Sequence, residues 1–194
     1  MSQKRQENPV LEFVIGCLMG PVIVLSTIGG EREHGEVFEL DDANGGIVLF
    51  TPTNVVERSI NGATGRNGYS HVGMLLGLTN DGGDLLIVDS QPSHGIKASP
   101  LSRYEGRRIT YIPLDDRTLA HARGGALSRL GKPYRGRRGG LTCGEFVAAC
   151  MPTRLKNKMR ERSNFVTPNS IAKAFGIETG GTETVTDLSK RLRF

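Results

Sequence analysis

The chain has 194 residues, 37% of them hydrophobic, enough for one ordinary domain with a tail or two. Three cysteines are too few, and odd in number, for a disulfide framework, and with no CxxC or HExxH motif a structural zinc site is not expected. The formal net charge of +5 is uneven: residues 31–42 hold six acidic residues and only Arg32, residues 1–30 sum to zero, and residues 43–194 carry +10. Such a basic region suits an acidic polymer (nucleic acid, an anionic membrane surface or an anionic cell wall) or is simply a solvated basic face.

After a polar start comes the segment 11–28, whose apolar stretch from Phe13 onward is interrupted by Gly16, Gly20, Pro21, Ser26 and Thr27. As a helix its core would span roughly 24–27 Å at 1.5 Å per residue, just enough for a thin bilayer. Three readings fit residues 1–30: a membrane anchor, a cleaved signal peptide, or a helix packed within an assembly. The anchor is favoured, since Lys4 and Arg5 precede the stretch and an acidic run follows it, which would send the domain across the membrane. No A-x-A cleavage site follows the apolar core, and Cys17 lies within it.

Residues 31–44 read as an acidic linker. An apolar strand is expected at 47–50, closed by Thr51-Pro52, and a Gly/Asn-rich loop at 61–67. A second strand is expected at 71–78. The turn signal Asn80-Asp81-Gly82-Gly83 and a returning strand at 85–89 complete a hairpin. A further strand is expected at 108–114. A helix capped by Asp115 or Asp116 should run to about residue 130, and a basic, glycine-rich loop spans 132–140. A helix over 141–151 stops near Pro152, and another opens at Pro168 with Thr167 as its cap. Residues 178–194 read as a mobile basic tail. The sum is an α+β domain over 45–177, a small antiparallel sheet packed with helices and preceded by an N-terminal hydrophobic helix.

Two short motifs carry the chemistry. The first is Tyr69-Ser70-His71-Val72-Gly73, which opens a strand. The second is Thr142-Cys143-Gly144-Glu145-Phe146-Val147, which follows Gly139-Gly140 and opens a helix. A thiol at a helix N-terminus meets unpaired N–H groups and the positive end of the dipole, and a nearby imidazole can take its proton. The bland alternatives are a cysteine and a histidine that merely pack. Cys150 reads as a small buried hydrophobe, and His34 and His121 as surface residues.

These motifs resemble those of the circularly permuted NlpC/P60 (papain-like) superfamily, which includes YiiX-like cysteine hydrolases and, more distantly, the lecithin:retinol acyltransferase group. The resemblance covers roughly residues 45–175. Gly45-Gly46-Ile47-Val48 stands where the family has G-D-I-V, with Gly46 in place of the aspartate. Ser70-His71-Val72-Gly73 matches the histidine motif. Gly131-Lys132-Pro133-Tyr134, Thr142-Cys143-Gly144-Glu145-Phe146-Val147 and Thr167-Pro168 follow in the family's order, with Thr142 and Gly144 as departures. The resemblance implies a permuted papain-like fold with Cys143 as nucleophile and His71 as general base. Asp89, in Ile87-Val88-Asp89-Ser90, takes the place of the third member that orients His71; Ser90 or His94 is the alternative. Ser70, Tyr134 and His94 are candidates for substrate contact, Glu145 for a structural role paired with an arginine. No metal or cofactor is implied.

The function expected first is a membrane-tethered cysteine hydrolase cleaving amide bonds in peptidoglycan stem peptides, in a bacterial envelope or, if phage-encoded, associated with a virion. The rivals are a lipid acyl hydrolase or acyltransferase using the same dyad, and a non-catalytic structural or virion module that binds wall, membrane or nucleic acid. Basic residues at 132–138 and 154–162 invite nucleic acid as a partner, but no nucleic-acid motif accompanies them, and Pro133 breaks any likeness to a P-loop.

Overall fold

The apolar runs of this chain alternate between two buried faces of one sheet. The computed structural model describes residues 15–16, 22–25, 36–53, 68–80, 82–134, 140–160, 165–177 and 182–192. Its strands are β1 (Ile15–Gly16), β2 (Val22–Leu25), β3 (Glu36–Phe50), β4 (His71–Thr79), β5 (Leu85–Gln91), β6 (Gly95–Pro100), β7 (Arg108–Pro113) and β8 (Glu183–Thr184). Its helices are α1 (Asp116–Leu127), α2 (Cys143–Cys150), α3 (Thr153–Arg160), α4 (Pro168–Ala174) and α5 (Val185–Leu192), with a 3-10 turn at Leu101–Tyr104. Six strands form an antiparallel sheet in the order β8-β7-β3-β4-β5-β6. β1 and β2 extend it alongside the first residues of β3, where Ile23 lies opposite Phe38.

Successive side chains of a strand point to opposite faces, and here both faces are covered. Ile47, Leu49, Val72, Met74 and Val88 face α1 to α4, where Phe146, Val147 and Ile171 complete the larger core. Val48, Phe50, Leu75, Ile87 and Ile109 face the other way and are covered by Leu101, Tyr104, Val185, Leu188 and Leu192. The α+β class expected from the sequence is therefore present, with the β4–β5 hairpin in place. Asn80 Oδ1 accepts the backbone N–H groups of Gly82 and Asp84 at 3.1 and 2.9 Å, which closes the hairpin. Asp115 is the cap of α1, its side chain accepting from Thr118 N at 3.0 Å. Thr167 caps α4, with Pro168 at its start.

Three expectations are corrected. The N-terminal helix falls largely outside the described residues, and the parts that are described, Ile15–Gly16 and Val22–Leu25, are strands. Val22, Ile23 and Val24 are β-branched and follow Pro21, a combination that disfavours helix and suits a strand. No helix among the described residues is long and apolar enough to cross a membrane. Residues 36–44, read as linker, belong to β3, which pairs first with β2 and then with β4 across a register shift between Leu40 and Gly45. The tail is not mobile over 182–192: the spacing of Val185, Leu188 and Leu192 places them on one side of α5, and all three are buried against the sheet. Polar spacing residues hid that stripe within a Thr-rich, basic sequence. β6 and α3 are additions to the expected elements. The loop at 61–67 and most of the basic loop at 135–139 lie outside the described residues.

Leu188 has no exposed surface. Leu188→Ala should lower stability by about 2–5 kcal/mol in urea denaturation, the scale for emptying a core leucine site. A loss below about 0.5 kcal/mol would mean that α5 does not cover the sheet.

Candidate active site

His71 is the first residue of β4, and Asp89 lies near the end of β5. The antiparallel register sets Gly73 opposite Asp89, so His71, two residues before Gly73, shares a face with Asp89 and reaches it diagonally. Gly73 is needed there. A Cβ at that position would come within 2.7 Å of Ile87 Cδ1 and 3.2 Å of Asp89 Cβ, pressing on the side chain that holds His71. His71 Nε2 meets Asp89 Oδ2 at 2.5 Å. The same oxygen accepts from Tyr104 Oη at 2.5 Å and from Gln91 Nε2 at 2.7 Å. Asp89 is fully buried while the His71 side chain keeps 15% of its surface exposed. His71 can therefore meet a substrate, and Asp89 acts only through it.

The electrostatics follow from these contacts. Burial opposes a charge on His71, but the hydrogen bonds with Asp89 and Cys143, and the charges behind them, outweigh it and raise the imidazole to about 9. Burial also opposes a charge on Asp89; hydrogen bonds from His71, Gln91 and Tyr104, with the His71 charge, outweigh it and hold the carboxyl below the usual range. Burial, then the neighbouring carboxylate, pushes the Tyr104 phenol above its ordinary value, so it remains a donor. Nε2 is committed to Asp89, and His71 and Cys143 line the same cleft.

Cys143 is the first residue of α2. Thr142 Oγ1 accepts from Glu145 N at 3.3 Å, and Glu145 Oε2 accepts from Thr142 N at 3.1 Å, a reciprocal capping box that fixes where the helix begins. Glu145 thus closes the helix start, a structural role. Gly144 has an equally local reason. A Cβ there would lie 2.2 Å from Val166 O, so only glycine lets the chain leading into α4 pass over the start of α2. Ser90 Oγ donates to Leu141 O at 2.6 Å and ties the approach to Cys143 onto β5. Ser90 is therefore not the partner of His71. Cys150 faces the core, where burial pushes its thiol up to about 12.

Ser70, His71, Tyr134 and Cys143 line one cleft of about 450 Å³. His94 does not line it; its Nδ1 sits 3.4 Å from Gly95 O in the β5–β6 turn. Sequence reasoning missed Tyr104, Gln91 and Arg107. Gln91 follows Asp89 by two residues on the same strand face, a spacing that could have pointed to it. Tyr104 and Arg107 come from a turn with no motif. The Phe50 ring lies 5.6 Å from His71 and 4.7 Å from Tyr104, with the Arg107 guanidinium 5.1 Å from its centroid. Among the described residues no group of three His, Cys, Asp or Glu is placed to hold a metal. No family model, curated protein or solved structure matches this chain.

His71, with its folded value of about 9 above the ordinary 6.5, contributes stability that is complete below pH 6.5 and is lost as pH rises through about 9. NMR titration should find this imidazole near 9, and Asp89→Asn or Cys143→Ala should each lower it by removing a supporting hydrogen bond and charge. A value near 6.5 in the unaltered protein would contradict the geometry. In a Cys17→Ser background, a thiol reagent should modify Cys143 and leave the buried Cys150 unmodified in the folded protein, as read by mass spectrometry.

Proposed function

We propose that this chain is a cysteine hydrolase of the circularly permuted NlpC/P60 type, cleaving amide bonds in peptidoglycan stem peptides. The observation that carries the reading is the cleft that Cys143, at a helix start, shares with His71, whose ring is held by the buried Asp89. Cys143 Sγ attacks the amide carbonyl as the thiolate, its proton residing on His71. The C–N bond breaks as His71 returns that proton to the leaving amine, forming an acyl-enzyme on Sγ. His71 then takes a proton from water, whose oxygen attacks the thioester, and the carboxylic product leaves as Sγ regains its proton. The N–H groups of Cys143 and Gly144, in the first turn of α2, have no intrahelical carbonyl to meet and are suited to hold the oxyanion. Asp89 is a positioning residue that fixes the ring and stabilises the imidazolium.

Peptide is favoured over lipid because the cleft is lined by Ser70, Gln91, Arg103 and Arg107 beside the dyad, whereas an acyl chain requires a long apolar groove. The proposed setting is the cell envelope, with the domain outside the cytoplasm, or a virion if the chain is phage-encoded.

Purified protein incubated with peptidoglycan fragments should release peptides, and Cys143→Ala should abolish the release. Asp89→Asn should reduce kcat by about 10²–10⁴-fold, as disturbed imidazole orientation does in comparable triads. Cysteine-dependent release of fatty acid from phospholipid would instead favour the acyl hydrolase. Turnover of neither would leave a non-catalytic module.

A further inference from the structure

His71 and Cys143 stand on separate layers, one on the sheet and one on the helices, and a single short stretch touches the segments that carry both. Val166 and Thr167 lead into α4 and lie over the start of α2. A Cβ at Gly144 would come within 2.2 Å of Val166 O and 3.1 Å of Thr167 Cα. Val166 is buried, and Thr167 fixes the first turn of α4 through a reciprocal capping box with Ser170. Two residues further on, Asn169 reaches the histidine segment. Its Oδ1 accepts from Tyr69 N at 2.8 Å, and its Nδ2 donates to Tyr69 O at 3.3 Å. The carboxamide thus serves both backbone groups of Tyr69, as a neighbouring strand would. β5 does not take that place: its pairing with β4 begins at Gly73 and Asp89, and the strand ends at Gln91. Gly68 leaves room for the contact, since a Cβ there would lie 2.1 Å from Asn169 Oδ1.

The same segment is also tied to the sheet. Ser70 N donates to Phe50 O at 2.9 Å, and the Tyr69 phenol meets Thr110 Oγ1 at 2.7 Å. Those bonds fix the approach to His71 against β3 and β7, whereas Asn169 fixes it against the helices that carry Cys143. We propose that residues 166–169 are a bracket that sets His71 relative to Cys143, with Asn169 as a positioning residue for the pair. The bond from Ser90 Oγ to Leu141 O is the matching tie on the β5 side, next to Asp89. Asn169 does not line the cleft, so it acts through Tyr69 and the strand start and touches no substrate. The inference rests on the cysteine-hydrolase reading in one respect, that Cys143 and His71 work together. For such a pair placement decides rate, and a shift of about 1 Å can lower it by about 10²-fold.

The test is a double-mutant cycle on the rate at which iodoacetamide alkylates Cys143, at fixed pH in a Cys17→Ser background. Asn169→Ala should lower the rate by about tenfold when His71 is present, and by less than about twofold in a His71→Ala background. A residue that merely supports the fold would change both rates by the same factor. Asn169→Asp keeps the acceptor for Tyr69 N and should fall between the unaltered protein and Asn169→Ala. Gly68→Ala, which displaces the carboxamide, should reproduce the loss, and adding Asn169→Ala to it should change the rate by less than about twofold. Gly68→Ala decides the matter if Asn169→Ala fails to fold. With peptidoglycan fragments, Asn169→Ala should lower kcat about tenfold and leave KM within about twofold. An equal loss with and without His71, or no loss in folded Asn169→Ala and Gly68→Ala proteins, would overturn the bracket while leaving the dyad standing. An alkylation rate that His71→Ala itself leaves unchanged would overturn the hydrolase reading, and the bracket with it.

Discussion

One carboxylate oxygen, Oδ2 of Asp89, organises the site. It accepts from the His71 ring, the Tyr104 phenol and the Gln91 amide, which come from two strands and a turn. A buried carboxylate without partners would be costly enough to take up a proton. With three donors it remains an anion, and the imidazole beside it is the group best able to answer with a positive charge. The ring cannot rotate away without breaking its bond to Asp89 and leaving its place against Phe50 and Tyr104. The ring is therefore held fixed in the cleft that Cys143 also lines.

The thiol is positioned by an independent device. α2 begins where it does because Thr142 and Glu145 satisfy each other's backbone groups, and because Gly144 admits the backbone of Val166 at a distance no side chain permits. The contrast with Cys150 shows what placement does. Both cysteines lie on the same short helix, seven residues apart. One stands at the helix start beside an imidazole, and the other lies at the far end among apolar side chains that suppress its ionisation. Chemistry is thus separated from packing within two turns of helix.

Much of this was legible in the chain, and what was not has physical reasons. His71, Asp89 and Cys143 were readable because each sits in a regular element whose start is marked locally: Ser70 before the strand, the Asn80 turn before β5, and the Thr142 cap before α2. Tyr104 and Arg107 left no trace, since their roles depend on how the turn after β6 folds over the sheet end, a long-range matter that spacing does not encode. α5 was hidden by composition. Three apolar residues among Thr, Asp, Ser, Lys and Arg form a full stripe only when wound into a helix, and the sheet face that calls for them is built from residues more than seventy positions earlier. Gly144 looked like a departure from a motif, but it is the residue that the path of another segment requires.

Among the described residues, the positive charge on α3 and that on the cleft wall differ in physical standing. On α3, Arg154, Lys156, Lys158 and Arg160 are spread along a helix with no acidic residue; Arg154 and Lys158 line an open groove of about 920 Å³ with Arg117 and His121. These groups face solvent, where water and salt screen them and no reactive atom lies near. Arg103 and Arg107 are fewer but stand on the wall of the cleft that holds Cys143, where one of them is fixed by a backbone carbonyl and an aromatic ring. A charge held in a concavity acts at shorter range and in a lower effective dielectric than one on a convex helix. Net charge drew attention to the basic runs first, yet the two arginines described on the wall of the cleft belong to neither run.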